Sequence, residues 1–378
     1  MRRGFLLSLC ALLPGAVAAQ SSQFGVRGLG APGRELSARA VGGGGAFGLF
    51  DAESGLNPAA LSTLSTMTAS FTGLQDYRHV ENPAGTESVR ESRFPQLGVA
   101  GPLKRLPLAL GLSFSNYTSR DFTLASADTI PLRGVLVPVS DTFSSRGGMS
   151  DLRFAGAYKL GERWAVGGSF HVITGSNRIV SRRTFADTSY QAARQTSEIS
   201  FAGVGFGLGV VRTFGPNFSL AAVARSDGHA IIDRDSTRVA QVDLPYTFGF
   251  GVRWRPVPNL DLASQVIYRT WSGANSDLLS QGGTGAENTV QVALGGELTP
   301  DMRRPFRRPI RLGVRYGTLP FPLVPGEQPR EFGLSVGSGV RFAQQRAGID
   351  LGLEHVWRSA GAYSERALMV TLGVTVRP

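Results

Sequence analysis

The stretch that most resembles a chemical motif is the glycine run VGGGGAFGLFDAESGLNPA, residues 41–59. A glycine-rich loop cradles phosphate when a buried strand precedes it and a helix follows it. The residues before this run, ELSARAV, do not read as a buried strand, and Asn57-Pro58 interrupts the residues after it. The Gly-Lys-Ser/Thr ending of a P-loop is also missing. The run is therefore not expected to bind phosphate.

The four histidines do not suggest a metal site. His79, His171, His229 and His355 lie far apart, without the spacing of a metal-binding motif. A hydrolase would need a Ser-His or Asp-His pair brought together across strands, and nothing in the sequence supports such a pair. We therefore expect no enzymatic activity, no cofactor and no metal.

A series of charges recurs at alternating positions in the C-terminal third of the chain. They are Arg253, Arg255, Asp261, Arg269, Glu297, Arg311, Arg315, Arg341, Asp350 and Glu354. If their strands cross a membrane, these side chains must face the lumen, because an arginine facing lipid at mid-depth costs about 2–4 kcal/mol. They could line a polar passage or a docking site for a plug, or they could form cross-strand ion pairs that stiffen the interior. The interleaved signs favour ion pairs.

The elements that carry these charges alternate with a period of two, which is typical of strands. In residues 366–376, Leu368, Val370 and Leu372 fall on one face, and Met369 and Thr371 fall on the other. Fourteen candidate strands follow this pattern, many of them long enough to cross a membrane at a tilt. They lie near 67–77, 93–101, 107–117, 148–159, 163–175, 198–212, 217–230, 243–255, 258–270, 288–299, 308–317, 330–343, 346–357 and 366–377.

Short and long connections alternate along the chain. Turns such as LGER (160–163) and FGPN (214–217) are short. The long polar connections lie near 78–92, 118–147, 176–197, 231–242, 271–287, 318–329 and 358–365. This alternation is typical of an outer-membrane barrel with tight periplasmic turns and longer external loops.

The pattern predicts an all-β fold, a transmembrane antiparallel β-barrel of about 14 strands (residues 66–378) with an N-terminal luminal hatch (residues 20–65). A soluble sandwich or solenoid is the alternative. The Gly-, Ser- and Thr-rich polar face and the alternating loop lengths weigh against it. A closed barrel also removes sheet edges, which lipid does not tolerate.

The first residues, MRRGFLLSLCALLPGAVAA (1–19), are typical of a secretory signal peptide. A lipoprotein signal is the alternative because the only cysteine, Cys10, lies there, but Cys10 comes too early and follows the bulky Leu9. The net charge of +11 is nearly all arginine. We attribute it to lipid phosphates or coding bias and expect no nucleic-acid partner, since an exported chain seldom meets nucleic acid and shows no binding signature.

The stretch SARAVGGGGAFGLFDAESGLNPAALSTL (37–64) resembles the N-terminal signature of the FadL-like outer-membrane proteins, and is most similar to their PorV-like branch. The matching positions are Ala38 to Ala40, Gly42 to Phe47, Asp51 to Glu53, and Asn57 to Ala59. The resemblance implies a fourteen-stranded barrel with this segment folded inside as a hatch. It places the chain in the bacterial outer membrane, in contact with its lipid, and the even strand number puts both termini in the periplasm.

The resemblance implies two functions. FadL-like proteins pass fatty acids or other hydrophobic compounds passively across the outer membrane, whereas PorV-like members serve type IX protein secretion and bind secretion-system proteins. A nonspecific structural porin is a third hypothesis. We expect a channel for hydrophobic small molecules, with hatch and gating residues Gly42, Gly43, Gly44, Gly45, Phe47, Asn57 and Pro58. The glycines would allow close packing, Phe47 would plug the lumen, and Asn57-Pro58 would set the exit into the first strand.

Overall fold

The computed structural model describes residues 22–83, 85–280, 282–301 and 307–378. The predicted signal peptide and its cleavage site lie outside these residues. The described strands form a single antiparallel sheet, which includes a two-residue strand at Ala31–Pro32 that pairs with Thr118 and Ser119. The sheet closes on itself because the last strand pairs with the first wall strand, with Val376 opposite Ala69 and Ser364 opposite Glu81. The predicted barrel is therefore confirmed.

Across the described residues the wall has fourteen strands, β1 to β14, and three of them are interrupted by a short break. Their bounds are β1 Thr68–Asn82, β2 Gly85–Pro102, β3 Leu108–Ser119 continued by Phe122–Leu132, β4 Val135–Leu160, β5 Trp164–Phe185, β6 Ala193–Phe214, β7 Phe218–Ser226 continued by His229–Arg234, β8 Thr237–Asp243 continued by Tyr246–Val257, β9 Leu260–Arg269, β10 Thr289–Leu298, β11 Arg307–Thr318, β12 Arg330–Phe342, β13 Ala347–Ala360 and β14 Tyr363–Val376. Each of the fourteen predicted strands corresponds to one wall strand.

The two faces of the wall are divided as the alternation predicts. On β14, Leu368 and Leu372 are exposed on the outside, whereas Met369 and Thr371 are buried inside. The same division holds on β12, where Leu334 is exposed and Ser335 is buried. An apolar exterior around a polar interior is the reverse of a soluble protein and suits a wall surrounded by lipid.

Five of the seven predicted long loops are wrong. Residues 78–92, 118–147, 176–197, 231–242 and 358–365 are largely strand. The wall strands continue into them: β1 and β2 run for 15 and 18 residues, and β4, β5 and β6 for 22 to 26. About 9–11 residues suffice to cross a bilayer. These extensions therefore project beyond the apolar band, where neither face has to be apolar. The extensions are paired as strands, but their sequences lack the hydrophobic alternation by which a strand is recognised.

The barrel has two distinct ends. The short-turn end carries the turns around residues 161–163 and 215–217, together with the C-terminal end of β14. The long-strand end carries the extended hairpins, a 3₁₀ helix (Trp271–Ala274), helix α2 (Asn275–Ser280) and the loop 319–329. Within the described residues, no helix is long and apolar enough to span a membrane.

The chain before β1, residues 22–67, is called the N-terminal segment below. It contains a 3₁₀ helix (Gln23–Gly25), helix α1 (Ala38–Gly42) and a second 3₁₀ helix (Pro58–Thr63). Helix α1 contacts β11 to β14, and the second 3₁₀ helix contacts β2 to β6 on the other side of the barrel. The segment thus reaches across the interior from wall to wall.

Candidate functional site

The glycine run brings the backbone of the N-terminal segment against the backbone of the wall. A Cβ on Gly42 would lie 2.9 Å from Cα of Gly337, and a Cβ on Gly313 would lie 2.2 Å from the carbonyl carbon of Gly43. Side chains would not fit at these contacts, because Cβ atoms do not approach backbone so closely. Gly44 adopts a φ of 69°, which also favours glycine.

Phe47 and Gly45 continue this contact along the wall. Phe47 is buried beside Ala46 and packs against Ala263 of β9 and Ala293 of β10. Gly45 has a φ of 88° and donates its N–H to the carbonyl of Ala40 at 2.8 Å. The Phe47 ring thus lies between the segment and the wall, where it helps to hold the segment in place.

The acidic patch folds back onto α1. Ser37 caps this helix by accepting a hydrogen bond from the N–H of Ala40 at 3.1 Å, and its hydroxyl donates to Asp51. Asp51 also accepts from the N–H of Glu53 at 3.1 Å. The number of residues between the glycines and the acidic patch is therefore set by this contact within the folded segment.

Asn57 and Pro58 begin a helix rather than leading directly into the first wall strand. Asn57 is extended (φ −125°, ψ 113°), and its side chain accepts a hydrogen bond from the N–H of Ala59 at 3.0 Å. Pro58 occupies the first turn of the second 3₁₀ helix, where a missing N–H costs nothing. The amide of Asn57 also donates to the carbonyl of Leu49 at 3.0 Å. This hydrogen bond joins Leu49, which precedes the acidic patch, to Asn57, which follows it.

Nine of the ten predicted lumen-facing charges form ion pairs among the described residues. Glu297 pairs with Arg311 at 2.6 Å, and Arg311 reaches Asp350 at 2.7 Å. Asp350 pairs with Arg341 at 2.6 Å. In two further groups, Arg253 and Arg255 pair with Asp261, and Arg315 pairs with Glu354 and Glu331. The interior is crossed by ladders of alternating charge.

These ladders include two arginines of the N-terminal segment that the sequence reasoning missed. Arg39 forms a bidentate pair with Glu297 at 3.0 and 3.1 Å, and Arg34 forms one with Glu354 at 2.5 and 3.0 Å. The Glu297 carboxylate raises the pKa of Arg39 above its ordinary value. Arg39 belongs to the matched family signature, but its partner lies 258 positions away. No local pattern could reveal that pairing.

The tenth charge, Arg269, has no ion-pair partner among the residues the structure describes. It lines a small interior space together with Tyr117 and Trp271. The other nine charges form ion pairs, so Arg269 is the exception within the predicted set.

A buried chain of polar groups joins β4, β5 and β7 to the segment. The Ser169 hydroxyl lies 2.8 Å from Nε2 of His171, and Nδ1 of His171 lies 2.8 Å from Asp151. Arg225 contacts Asp151 at 2.9 Å and Glu35 at 2.8 Å. Nothing in the sequence supported a Ser-His or Asp-His pair, and the structure corrects that expectation.

Little in the sequence indicates this chain of polar groups. Ser169 and His171 share one face of β5 because they are two positions apart, and Asp151 lies on the neighbouring strand. The order Ser-His-Asp is that of a nucleophile and its base. Here the carboxylate is shared with Arg225, which in turn holds Glu35 of the segment. The arrangement therefore acts as a brace between wall and segment, and the absence of enzymatic activity stays a prediction.

The interior at the long-strand end is apolar. Trp271, Phe321, Leu278 and Ile173 are buried there in one cluster with Leu29 of the N-terminal segment. A cavity of about 170 Å³ lies in this region. Its lining is mainly apolar, with Ile199, Phe201, Ile232 and Leu278, and it also includes Arg120 and Thr284. The connections 271–287 and 318–329, predicted as loops, fold inward to supply part of this lining.

The interior at the short-turn end is polar. A cavity of about 420 Å³ lies there, bordered by six arginines and three carboxylates. The N-terminal segment lies between the two cavities and contributes Leu29 to one and Arg39 to the other. The lumen thus has an apolar compartment and an arginine-rich compartment separated by one folded segment.

Solved structures with the same architecture include several barrels. The chain has 12% identity to a Pseudomonas aeruginosa FadL homologue, with a TM-score of 0.63 and coverage of 91% of this chain and 99% of that one. The CymD monoaromatic hydrocarbon channel gives 15% identity and a TM-score of 0.58, covering 92% and 98%. The Pseudomonas putida toluene transporter TodX gives 12% and 0.55, covering 85% and 92%. At these identities the likeness shows a common fold, that of the FadL-like barrels.

Two sequence comparisons complete the picture. No curated protein matches the chain. The BamG family model matches residues 1–227, which is more than half of the sequence. The chain is therefore a FadL-like barrel in fold and belongs to the BamG family.

Proposed function

We propose that the protein is an outer-membrane channel that passes hydrophobic small molecules without catalysis, with the N-terminal segment as its hatch. The observation that carries this proposal is the apolar compartment at the long-strand end. Barrel lumens are usually polar, so a buried interior cluster that contains Trp271, Phe321 and Leu278 needs an explanation. An apolar compartment would receive apolar solutes.

The size of the cavity supports a solute of about one aromatic ring. Its volume is about 170 Å³, and an apolar cavity of about 150 Å³ can hold benzene. Two proteins of the same fold are described as a monoaromatic hydrocarbon channel and a toluene transporter. The proposed substrates are small apolar compounds, with fatty-acid-like molecules as the longer alternative.

The orientation belongs to the same proposal. The short-turn end and both termini would face the periplasm, since bacterial outer-membrane barrels have short periplasmic turns. Solutes would enter at the long-strand end and meet the N-terminal segment. Passage then requires the segment to move or to open a gap beside it, which means loosening contacts such as Arg39–Glu297 and Arg34–Glu354.

Uptake by proteoliposomes tests the proposal. Vesicles containing the purified protein should take up a radiolabelled monoaromatic hydrocarbon faster than protein-free vesicles do. The protein should not accelerate the uptake of a sugar of similar size. Equal acceleration of both solutes would support a nonspecific porin instead. No acceleration of either would contradict a channel and leave the PorV-like, protein-binding role as the remaining hypothesis.

A further inference from the structure

The arginine-rich cavity at the short-turn end is a separate feature from the apolar compartment. Its arginines come from three parts of the chain: α1, the wall strands and the C-terminus. They are Arg39, Arg253, Arg255, Arg311, Arg341 and Arg377. Such a concentration of guanidinium groups inside a barrel favours an anion.

The three carboxylates at this cavity are already occupied. Asp261 and Glu297 lie directly opposite each other on β9 and β10, and Asp350 lies on β13. Two like charges facing each other across strands destabilise a sheet. Arginines relieve that repulsion, with Arg253 on Asp261 and both Arg39 and Arg311 on Glu297. Asp350 is likewise held between Arg311 and Arg341.

The cavity has more donors than these carboxylates can use. Within the described residues, the side chain of Arg255 makes one polar contact, at 3.4 Å to an Asp261 oxygen that Arg253 already binds. Its side chain is 43% exposed. Among the described residues, the side chain of Arg377 also makes a single polar contact, at 3.3 Å to Glu53. Guanidinium groups carry five N–H donors each, so several donors face the cavity without a protein acceptor.

We propose that this cavity binds the phosphate group of a soluble phosphate monoester. A carboxylate presents two oxygens in one plane and suits a single arginine fork, whereas a tetrahedral phosphate accepts from several sides. Arg39, Arg255 and Arg377 approach from different elements, which fits the tetrahedral group. The volume of about 420 Å³ lies in the usual range of ligand pockets and leaves room for an organic substituent.

The position of the cavity identifies the source of the ligand. Its lining includes the turn residues Pro258 and Asn259 and inward-facing residues of the wall, such as Arg311. The ligand therefore arrives from the aqueous phase at the short-turn end, and not from a lipid headgroup outside the wall. The proposal does not depend on the channel function, because the N-terminal segment separates the two cavities.

Calorimetric titration of the purified protein in detergent with phenyl phosphate at low salt tests this site. Wild-type protein should bind phenyl phosphate and should not bind phenol. Arg255→Gln should weaken binding about tenfold or more, since it removes charge-assisted hydrogen bonds. This variant keeps the Arg253–Asp261 pair, so the wall should fold normally, as checked by the heat-dependent mobility of the barrel on gels.

Arg212→Gln is the matched control. Arg212 lies at the same end but is exposed on the outer face, against Trp164 and Phe214, and its loss should leave affinity unchanged. The proposal is overturned if phenyl phosphate does not bind, if Arg255→Gln binds as tightly as the wild type, or if benzoate binds equally well. Displacement of phenyl phosphate by monomeric dihexanoyl phosphatidylglycerol at equal concentration would overturn the soluble source.

Discussion

At the scale of single residues, Arg39 fastens the N-terminal segment to the wall. It joins α1 to Glu297 of β10 through two hydrogen bonds, and the carboxylate raises its pKa, so the guanidinium stays charged at any working pH. Arg39→Ala leaves Glu297 with Arg311 alone. Hydrogen bonds to charged groups contribute about 1.5–3 kcal/mol each at most.

We expect Arg39→Ala to loosen the segment while the barrel remains folded. Limited trypsin digestion reads this directly, because Arg27 and Arg34 lie in the segment and become cleavable when it undocks. Cleavage in the segment should be several-fold faster than in wild type. Arg212→Ala, on the outer face, should digest like wild type, and equal rates for all three proteins would show that Arg39 does not hold the segment.

Alanine substitutions at Gly44 and Gly161 distinguish the effect of close packing from the effect of backbone strain. Their φ angles are nearly equal, 69° and 66°, so alanine is strained by roughly 1–2 kcal/mol at either position. At Gly44 the new Cβ would also lie 2.8 Å from the Val314 nitrogen, whereas nothing lies within 4 Å of Gly161. Gly44→Ala should therefore expose the segment to trypsin, and Gly161→Ala should not. The close-approach argument fails if both variants digest alike.

We expect Glu53 to make docking of the segment depend on pH. Burial raises the pKa of Glu53 above its ordinary value, and the neighbouring Asp51 raises it further, against the opposing effects of Thr375 and Arg341. A raised pKa means that the docked segment binds the proton more tightly than the undocked one. Docking is then strongest below the ordinary pKa and weakens as pH rises through the docked value.

Glu53→Gln should remove this dependence. Digestion of the segment by a protease with a broad pH range should accelerate as pH rises for wild type, after correction with an unfolded substrate. It should be nearly flat for the variant, where the amide retains hydrogen bonding to Thr375 without the charge. A wild-type profile as flat as that of Glu53→Gln would contradict the role of Glu53.

At the scale of elements, the region 271–280 covers the apolar compartment. Leu278 of α2 is buried and borders the 170 Å³ cavity, whereas its neighbour Leu279 is 52% exposed. Leu278→Trp should fill the cavity and lower uptake of a monoaromatic hydrocarbon several-fold in proteoliposomes. Leu279→Trp adds the same group outside the cavity and should leave uptake unchanged. Unaltered uptake in both variants would remove the cavity from the route.

The elements also show how far sequence reasoning reaches. All fourteen wall strands could be predicted, because inside and outside faces within the bilayer require opposite residue types. The strand extensions at 118–147 and 176–197 could not, since water surrounds both faces beyond the lipid. The glycine contacts were predictable in kind from the composition of the run. The partners of Arg34 and Arg39, and the Ser169–His171–Asp151 chain, depend on how distant strands meet, which local spacing does not encode.

At the scale of the whole molecule, one folded segment separates an apolar compartment from an arginine-rich one. Its glycines touch β11 and β12, its arginines pair with β10 and β13, and Glu35 pairs with Arg225 of β7. Contacts on so many strands hold the segment across the interior of the barrel. If the barrel is a channel, as proposed, this segment and not the wall resists passage.

Deleting residues 22–60 is the most direct test of that assignment. The barrel strands begin at Thr68 and remain intact in the shortened chain, and gel mobility confirms that the wall has folded. We expect vesicles carrying the shortened protein to admit monoaromatic hydrocarbons faster than those carrying the full chain, and also to begin to admit small sugars. Permeability to both solutes that matches the full-length protein would contradict the segment as the hatch.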